Sequence, residues 1–310
     1  MIFLLALVSV LAVPAWAGAA VSDAEATSWL QRVSDASRKL PYQGIFVMQM
    51  GDRMQTVEVE NHTGGIASAT RLVVLDGQPR EIHCSRNESV TLAWGAKGQR
   101  LERRLGSRHF PDLLPEKAGK LVAHYTLNLG GIDRVAGREC QVLELVPRDG
   151  YRWGFEVCAD QLTGLPLRAM MVDGEGRSLV QYAFVKVRNG AVGKPDPSVP
   201  GPLPFEELKP VDHGPVMPRA LPAGYEKVVA IKRKLPNRQG EVEHWVFSDG
   251  LNHISMFVEP APRHPVGLKG QSARGMLNLL TRKLGRYQVT VLGDAPLPAV
   301  EMVAKHLVLN

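Results

Sequence analysis

Catalytic signatures are missing from this chain of 310 residues. It has no Gly-x-Ser-x-Gly elbow, no Walker loop, no Gly-x-Gly-x-x-Gly turn and no His-Glu-x-x-His helix, which argues against the common hydrolase, nucleotide and zinc-protease arrangements. Its nine histidines are scattered, without paired helical spacing and without a Cys-x-x-Cys beside them, so the usual tetrahedral metal patterns are absent too. No metal and no cofactor is therefore expected. Cysteine is scarce, with only Cys84, Cys140 and Cys158. Past the first segment no stretch is long and apolar enough to cross a bilayer, and no Cys follows that segment to carry a lipid.

What is present begins with an address. Residues Ile2 to Ala15 are almost entirely apolar, and Ala15-Trp16-Ala17 has the small-x-small form of a signal-peptidase site. The basic residues that usually open such a segment are missing. A membrane anchor is the competing reading, although the run falls short of the roughly 20 apolar residues a span needs. The expectation is export, cleavage near Ala17 and a soluble mature protein. Globular composition, 45% hydrophobic and 22% charged with a net charge of +6, fits a folded chain whose length predicts two domains.

Ser22-Asp23-Ala24-Glu25 has the capping-box pattern, and Ala26, Trp29, Leu30, Val33 and Ala36 follow at helical spacing. Eleven short runs come next, from Tyr42–Met50 to Ser178–Arg188, separated by turn signals such as Leu75-Asp76-Gly77, Arg148-Asp149-Gly150 and Val172-Asp173-Gly174. They predict a mainly β fold: a strongly curved antiparallel sheet or barrel over residues 18–192, with the helix against its concave side. Nine prolines between Gly193 and Pro222 predict a semi-rigid linker. A smaller α+β unit is expected over 223–310, with a hairpin about Asp249-Gly250, a basic-faced helix marked by Ala273, Met276, Leu277, Leu280 and Leu284, a strand Gln288–Leu292 and a last short helix near Pro298–His306.

In an oxidising compartment three cysteines allow one bridge. Cys140 and Cys158 are equally distant from Asp149, so a hairpin folded there sets them opposite, with a small register offset or two buried free thiols as alternatives. Phe46, Met48, Val73, Leu75, Leu92, Trp94, Trp153, Met170 and Met171 would partly face the inside of the curved sheet. They either wall a cavity for flexible apolar chains or fill an ordinary core. Arg100, Arg103, Arg104 and Arg108 form one basic cluster, and Lys232, Arg233, Lys234 and Arg238 another. They suit lipid phosphates or an acidic partner, or a solvated face. His244 and His253 either meet across their hairpin as a metal or pH site or are two surface histidines on a ladder, the commoner case. Nucleic acid is not expected.

Several strings taken together resemble the MucB/RseB family. In the second unit they are Leu221-Pro222-Ala223-Gly224-Tyr225, His244-Trp245-Val246-Phe247-Ser248-Asp249-Gly250-Leu251, Met256-Phe257-Val258-Glu259-Pro260 and Tyr287 to Asp294. In the first they are Tyr42 to Val47, Leu75 to Glu81, Arg134 to Arg138, Thr163 to Leu167 and Tyr182-Ala183-Phe184. The resemblance implies a lipoprotein-carrier-like (LolA/LolB-like) unclosed barrel. It also implies a periplasmic regulator that binds the periplasmic segment of an RseA/MucA-type anti-sigma factor and shields it from site-1 proteolysis. Release would follow the sensing of lipopolysaccharide or lipoprotein acyl chains. The resemblance carries over no contact residues, does not extend to the cysteine pair, and leaves a homo-oligomer open. A lipoprotein carrier, or a hydrolase using Ser248 or Cys84, are the competing functions.

Overall fold

The computed structural model describes residues 18–63, 69–85, 88–95, 98–190, 208–235, 240–261, 269–271 and 276–310. The expected signal segment, the linker up to residue 207, Arg238 and Ala273 lie outside them. In chain order the first part contains β1 (Ala19–Ala20), α1 (Asp23–Lys39), β2 (Tyr42–Met50), β3 (Arg53–His62), β4 (Ala69–Val74), β5 (Arg80–Ser85), β6 (Glu88–Gly95), β7 (Gly98–Leu105), a 3-10 helix (Ala118–Ala123), β8 (Tyr125–Val135), β9 (Arg138–Pro147), β10 (Gly154–Asp160), β11 (Pro166–Val172) and β12 (Ser178–Asn189). The second contains β13 (Lys209–Pro210), β14 (Val216–Pro218), β15 (Glu226–Lys234), β16 (Glu241–Ser248), β17 (His253–Pro260), β18 (Lys269–Gln271), β19 (Asn278–Leu284), β20 (Tyr287–Gly293), α2 (Leu297–Lys305) and β21 (Leu307–Leu309).

Strands β1 to β12 make one antiparallel sheet that runs from β1 through β8–β12 to β2 and out to β7, and among the described residues its two ends do not pair. This is the unclosed barrel that the resemblance implies. Ser22 caps α1 by accepting the Glu25 amide at 3.3 Å. The stripe Ala26, Leu30, Val33 and Ala36 is buried against concave-face residues such as Val59, Leu72 and Leu143. At roughly 25 cal/mol per Å² of apolar surface, that stripe is what holds the helix to the sheet. Phe110, from the segment after β7, packs edge-on to Phe46 at 4.9 Å and stacks on Tyr182 at 5.4 Å. The inside of the barrel around Phe46 is thus a filled aromatic core.

The second sheet has the order β13-β15-β16-β17-β20-β19-β18, and β14 pairs with β21 beside it. Helix α2 buries Ala299, Val300, Val303 and Ala304 against Trp245, Met256, Val289 and Val291 on one face. Two expectations change here. Lys209–Pro210 and Val216–Pro218, placed in the linker from its proline content, pair with β15 and β21 respectively. The expected basic-faced helix is instead the strand β19, paired with β20 from Asn278↔Gly293 to Leu284↔Tyr287. Leu280 and Leu284 fit a period of two as well as a helical one. The hairpin partner across Gly285-Arg286 decides between them by pairing Leu280 with Val291 and Leu284 with Tyr287, which packs both leucines on the second core.

Cys140 and Cys158 are bonded, with Cα atoms 5.3 Å apart. They are not directly opposite: Cys158 pairs with Val142 and Cys140 with Asp160, so the bridge runs diagonally across β9 and β10. The turn is looser than a hairpin centred on Asp149, because β10 starts only at Gly154. Beside the bridge, Arg138 donates to the Asp160 carboxylate at 2.7 Å.

Candidate functional site

Two Asp-Gly turns, one from each sheet, meet at the domain boundary. Arg152, in the loop between β9 and β10, has a fully buried side chain, as does Asp249 in the β16–β17 turn. Arg152 donates Nη1 to Asp249 Oδ2 at 3.2 Å, forks onto Asp149 at 2.9 and 3.0 Å, and gives Nη2 to the Ala223 carbonyl at 2.5 Å. Tyr125 donates its hydroxyl to Asp249 Oδ2 at 3.2 Å and accepts from Asn252 Nδ2 at 2.8 Å. Asn252 in turn accepts the Trp153 amide at 2.9 Å. A buried guanidinium costs several kcal/mol to desolvate unless its donors are used, and here two carboxylates and a carbonyl use them. The 222–225 turn closes the cluster, and Gly224 sits so near His124 that an added Cβ would lie 2.1 Å from its ring nitrogen.

Next to this lock lies a cavity of about 570 Å³. It is closed on one side by concave-face residues of the first sheet, including Phe155, Met171, Val180 and Tyr182, and on the other by the helix-free face of the second sheet. On that face Val246 and Leu292 stand with Phe257, whose ring stacks on His244 at 4.2 Å. Register explains the division. Pairing of His244 with Phe257 and of Val246 with Ser255 sends these residues to one side and Trp245 and Met256 to the α2 side. Burial, with Arg104 adding, pulls His109 down to about 4, and burial with Arg233 does the same to His244. Both rings are therefore neutral near pH 7. A smaller pocket of about 310 Å³ shares Gly106, Arg108 and His253 with the cavity and is rimmed by Lys117, Lys120 and Lys227.

Of the residues expected inside the sheet, Met170 and Met171 line the cavity. Phe46 belongs to the aromatic core, with Met48 and Trp153 packed against that core. Val73, Leu75, Leu92 and Trp94 are on the other face. Leu72 and Val74 take the concave side, and the register Val73↔Glu81↔Leu92 keeps their neighbours on the convex one. Leu75 is 50% and Trp94 42% exposed, so neither faces inward. The basic residues of the two domains converge in part: Arg103, Arg104 and Arg233 line the cavity. Arg103 forks onto Glu88 at 2.6 and 2.8 Å, and Arg104 pairs with Glu102 at 3.1 Å. Lys232 and Lys234 alternate outward, Lys232 lying 3.8 Å from Glu243. The Arg100 side chain lies outside what is described.

His244 and His253 do not meet, since His253 pairs with Ser248. Among the described residues no group of three His, Cys, Asp or Glu could hold a metal. The Ser248 hydroxyl donates to the Asn252 carbonyl at 2.9 Å, a turn contact. Burial, with Asp112 adding, pushes the Cys84 thiol up to about 12, where no useful thiolate forms. The residues missed entirely from sequence are Arg152, Tyr125 and Asn252, for which no local signal exists.

For His253, burial lowers the pKa, but the hydrogen bond and charge of Asp294, with Asp249, outweigh it and leave it raised. A raised folded-state value stabilises the fold fully below the unfolded value of 6.5 and loses that contribution as pH rises through the folded value. His253→Gln should therefore flatten the fall of melting temperature with pH above about 6.5. An unchanged pH profile in the variant would remove His253 from that role.

Among the described residues no helix is long and apolar enough to cross a membrane. Residues 25–211 match the MucB/RseB N-terminal domain family and residues 216–308 the MucB/RseB C-terminal domain family. The chain is 31% identical over 314 residues to the sigma factor AlgU regulatory protein MucB of Pseudomonas aeruginosa, covering 97% of this chain and 95% of that protein. It is 24% identical over 287 residues to the sigma-E factor regulatory protein RseB of Escherichia coli, covering 90% and 89%. The solved complex of MucA and MucB from Pseudomonas aeruginosa superposes with a TM-score of 0.73 at 27% identity, covering 92% of this chain and 99% of that one. With both domains matched in order and over nearly their whole length, the chain belongs to the MucB/RseB family.

Proposed function

We propose that this protein is a periplasmic regulator that binds the periplasmic segment of a MucA/RseA-type anti-sigma factor, shields it from site-1 proteolysis and lets it go when a lipid-like ligand is sensed. The observation that carries the reading is the likeness across both domains to a relative solved together with MucA. The cavity supports the sensing half, because its walls come from both sheets and a ligand there would touch both domains at once. Ligand and partner are then coupled if each prefers a different state of that shared boundary. A carrier of lipoproteins is the alternative, but it gives the second sheet no task beyond closing the cavity.

The test is calorimetric titration of the mature chain with the periplasmic segment of its anti-sigma factor, with and without lipopolysaccharide. Binding that weakens as lipopolysaccharide is added, with faster site-1 cleavage of the segment, is the expected result. Absence of binding under both conditions would put the carrier reading ahead.

A further inference from the structure

Gly18, just ahead of β1, meets a buried carboxylate. Its backbone N–H donates to Glu144 Oε2 at 3.3 Å. Glu144 stands between Leu143 and Leu145, which belong to the concave core, so its own side chain points to the convex face of β9. It is nonetheless only 5% exposed. Among the described residues no Lys, Arg or His nitrogen lies within 4.0 Å of this carboxylate. The neighbouring strand makes the charge harder to hold. Glu144 pairs in register with Glu156 on β10, and Glu156 has a cation of its own in Arg168 at 3.0 Å. Like charges directly opposite each other destabilise a ladder, and a carboxylate out of water with one amide donor carries a desolvation cost. The cation that Glu144 lacks comes from no described side chain.

Local structure brings the Gly18 nitrogen there at close quarters. Strand β1 pairs with β8 through Ala19↔Leu129 and Ala20↔Asn128, and the Val21 amide donates to the Leu127 carbonyl at 3.1 Å. A Cβ on Gly18 would lie 2.7 Å from the Leu129 carbonyl oxygen, so the position takes no side chain. On β8 itself the carboxylate passes over Gly130, where an added Cβ would touch Glu144 Oε1 at 3.7 Å. In the sequence Gly18 follows Ala15-Trp16-Ala17, the signal-peptidase pattern. Hydrolysis of the Ala17–Gly18 peptide bond leaves the new carboxylate on the departing leader. The new amine on Gly18 takes up a proton and is an ammonium at neutral pH. We infer that processing between Ala17 and Gly18 completes the fold, the freed α-ammonium of Gly18 forming a buried ion pair with Glu144 that fastens β1 to β8. The unprocessed chain makes only the neutral amide contact at the same place, and a charge-assisted hydrogen bond is roughly twice as strong. The edge of the first sheet therefore tightens when the leader leaves. This rests on the export reading of the first segment and is independent of what the cavity binds.

The experiment begins with the intact mass of the chain after export into the periplasm of a bacterial host, which should place its first residue at Gly18. Two forms of the whole mature chain are then compared by amide hydrogen exchange, one beginning with the free amine of Gly18 and one that keeps an Nα-acetylated Ala17. The second form preserves the Gly18 amide and removes only the charge, so it separates charge from fit. The Val21 amide should exchange more slowly in the free-amine form by roughly tenfold or more, the worth of a charged hydrogen bond. Glu144→Gln should bring the two forms to the same rate. Equal exchange in the two parent forms, a difference that survives Glu144→Gln, or a first residue other than Gly18 would overturn the proposal. Should Glu144→Gln fail to fold, Gly18→Ala takes its place, since a Cβ there forbids the close approach and should erase the same difference.

Discussion

Arg152→Ala is expected to destabilise the protein by about 3–5 kcal/mol, the cost of leaving one member of a buried ion pair uncompensated. The loss falls on Asp249, whose side chain is fully buried and whose Oδ2 would keep only the Tyr125 hydroxyl and the Asn252 amide. Because Arg152 belongs to the first sheet and Asp249 to the second, the damage is to the joint between domains as much as to either core. Denaturant unfolding followed by tryptophan fluorescence should split from one transition into two, since Trp153 sits at the joint and Trp245 in the second core. A double variant, Arg152→Met with Asp249→Asn, should recover part of the loss, because it removes both charges together. Equal loss in the single and double variants would mean that packing, and not charge, holds the joint.

The second large effect is expected from the disulfide. Cys140 and Cys158 are 18 residues apart in sequence, and a loop of that size restrains the unfolded chain by about 3 kcal/mol. Both residues are fully buried within the first core, so Cys140→Ala with Cys158→Ala should lower urea stability by about that amount, plus a smaller packing loss. Native protein should also resist reduction until it unfolds, because no reductant reaches the sulfurs. A double variant as stable as the parent would show that β9 and β10 hold their ladder without the bridge. Family membership says nothing of this pair, so relatives without it should show no equivalent loss on reduction.

Much of the first sheet was legible in the sequence. The runs from Tyr42–Met50 to Ser178–Arg188 correspond to β2 through β12, because Asp-Gly and similar turn signals punctuate a pattern of short β-rich segments. The α1 stripe and its Ser22 cap were equally plain. Where reading by pattern failed, a partner strand was the missing information. Leu280 and Leu284 suit a helix or a strand until β20 is laid beside them. Val73 and Leu75 look like wall residues until the register gives the concave face to Leu72 and Val74.

The site divides in the same way. Residue order alone shows the cysteine pair, both arginine clusters and both Asp-Gly turns, since each is a local feature of composition. Nothing local says that the turn at Asp149 would lie against the turn at Asp249, a hundred residues on, or that Arg152 would be buried between them. Nor does it say that Arg108 and Arg233 would line the same cavity. Those facts depend on the second sheet closing its helix-free face over the open mouth of the first. That docking is chosen by the burial of two apolar faces and one satisfied ion pair, which are sums over distant residues and leave no mark in any short stretch of the chain.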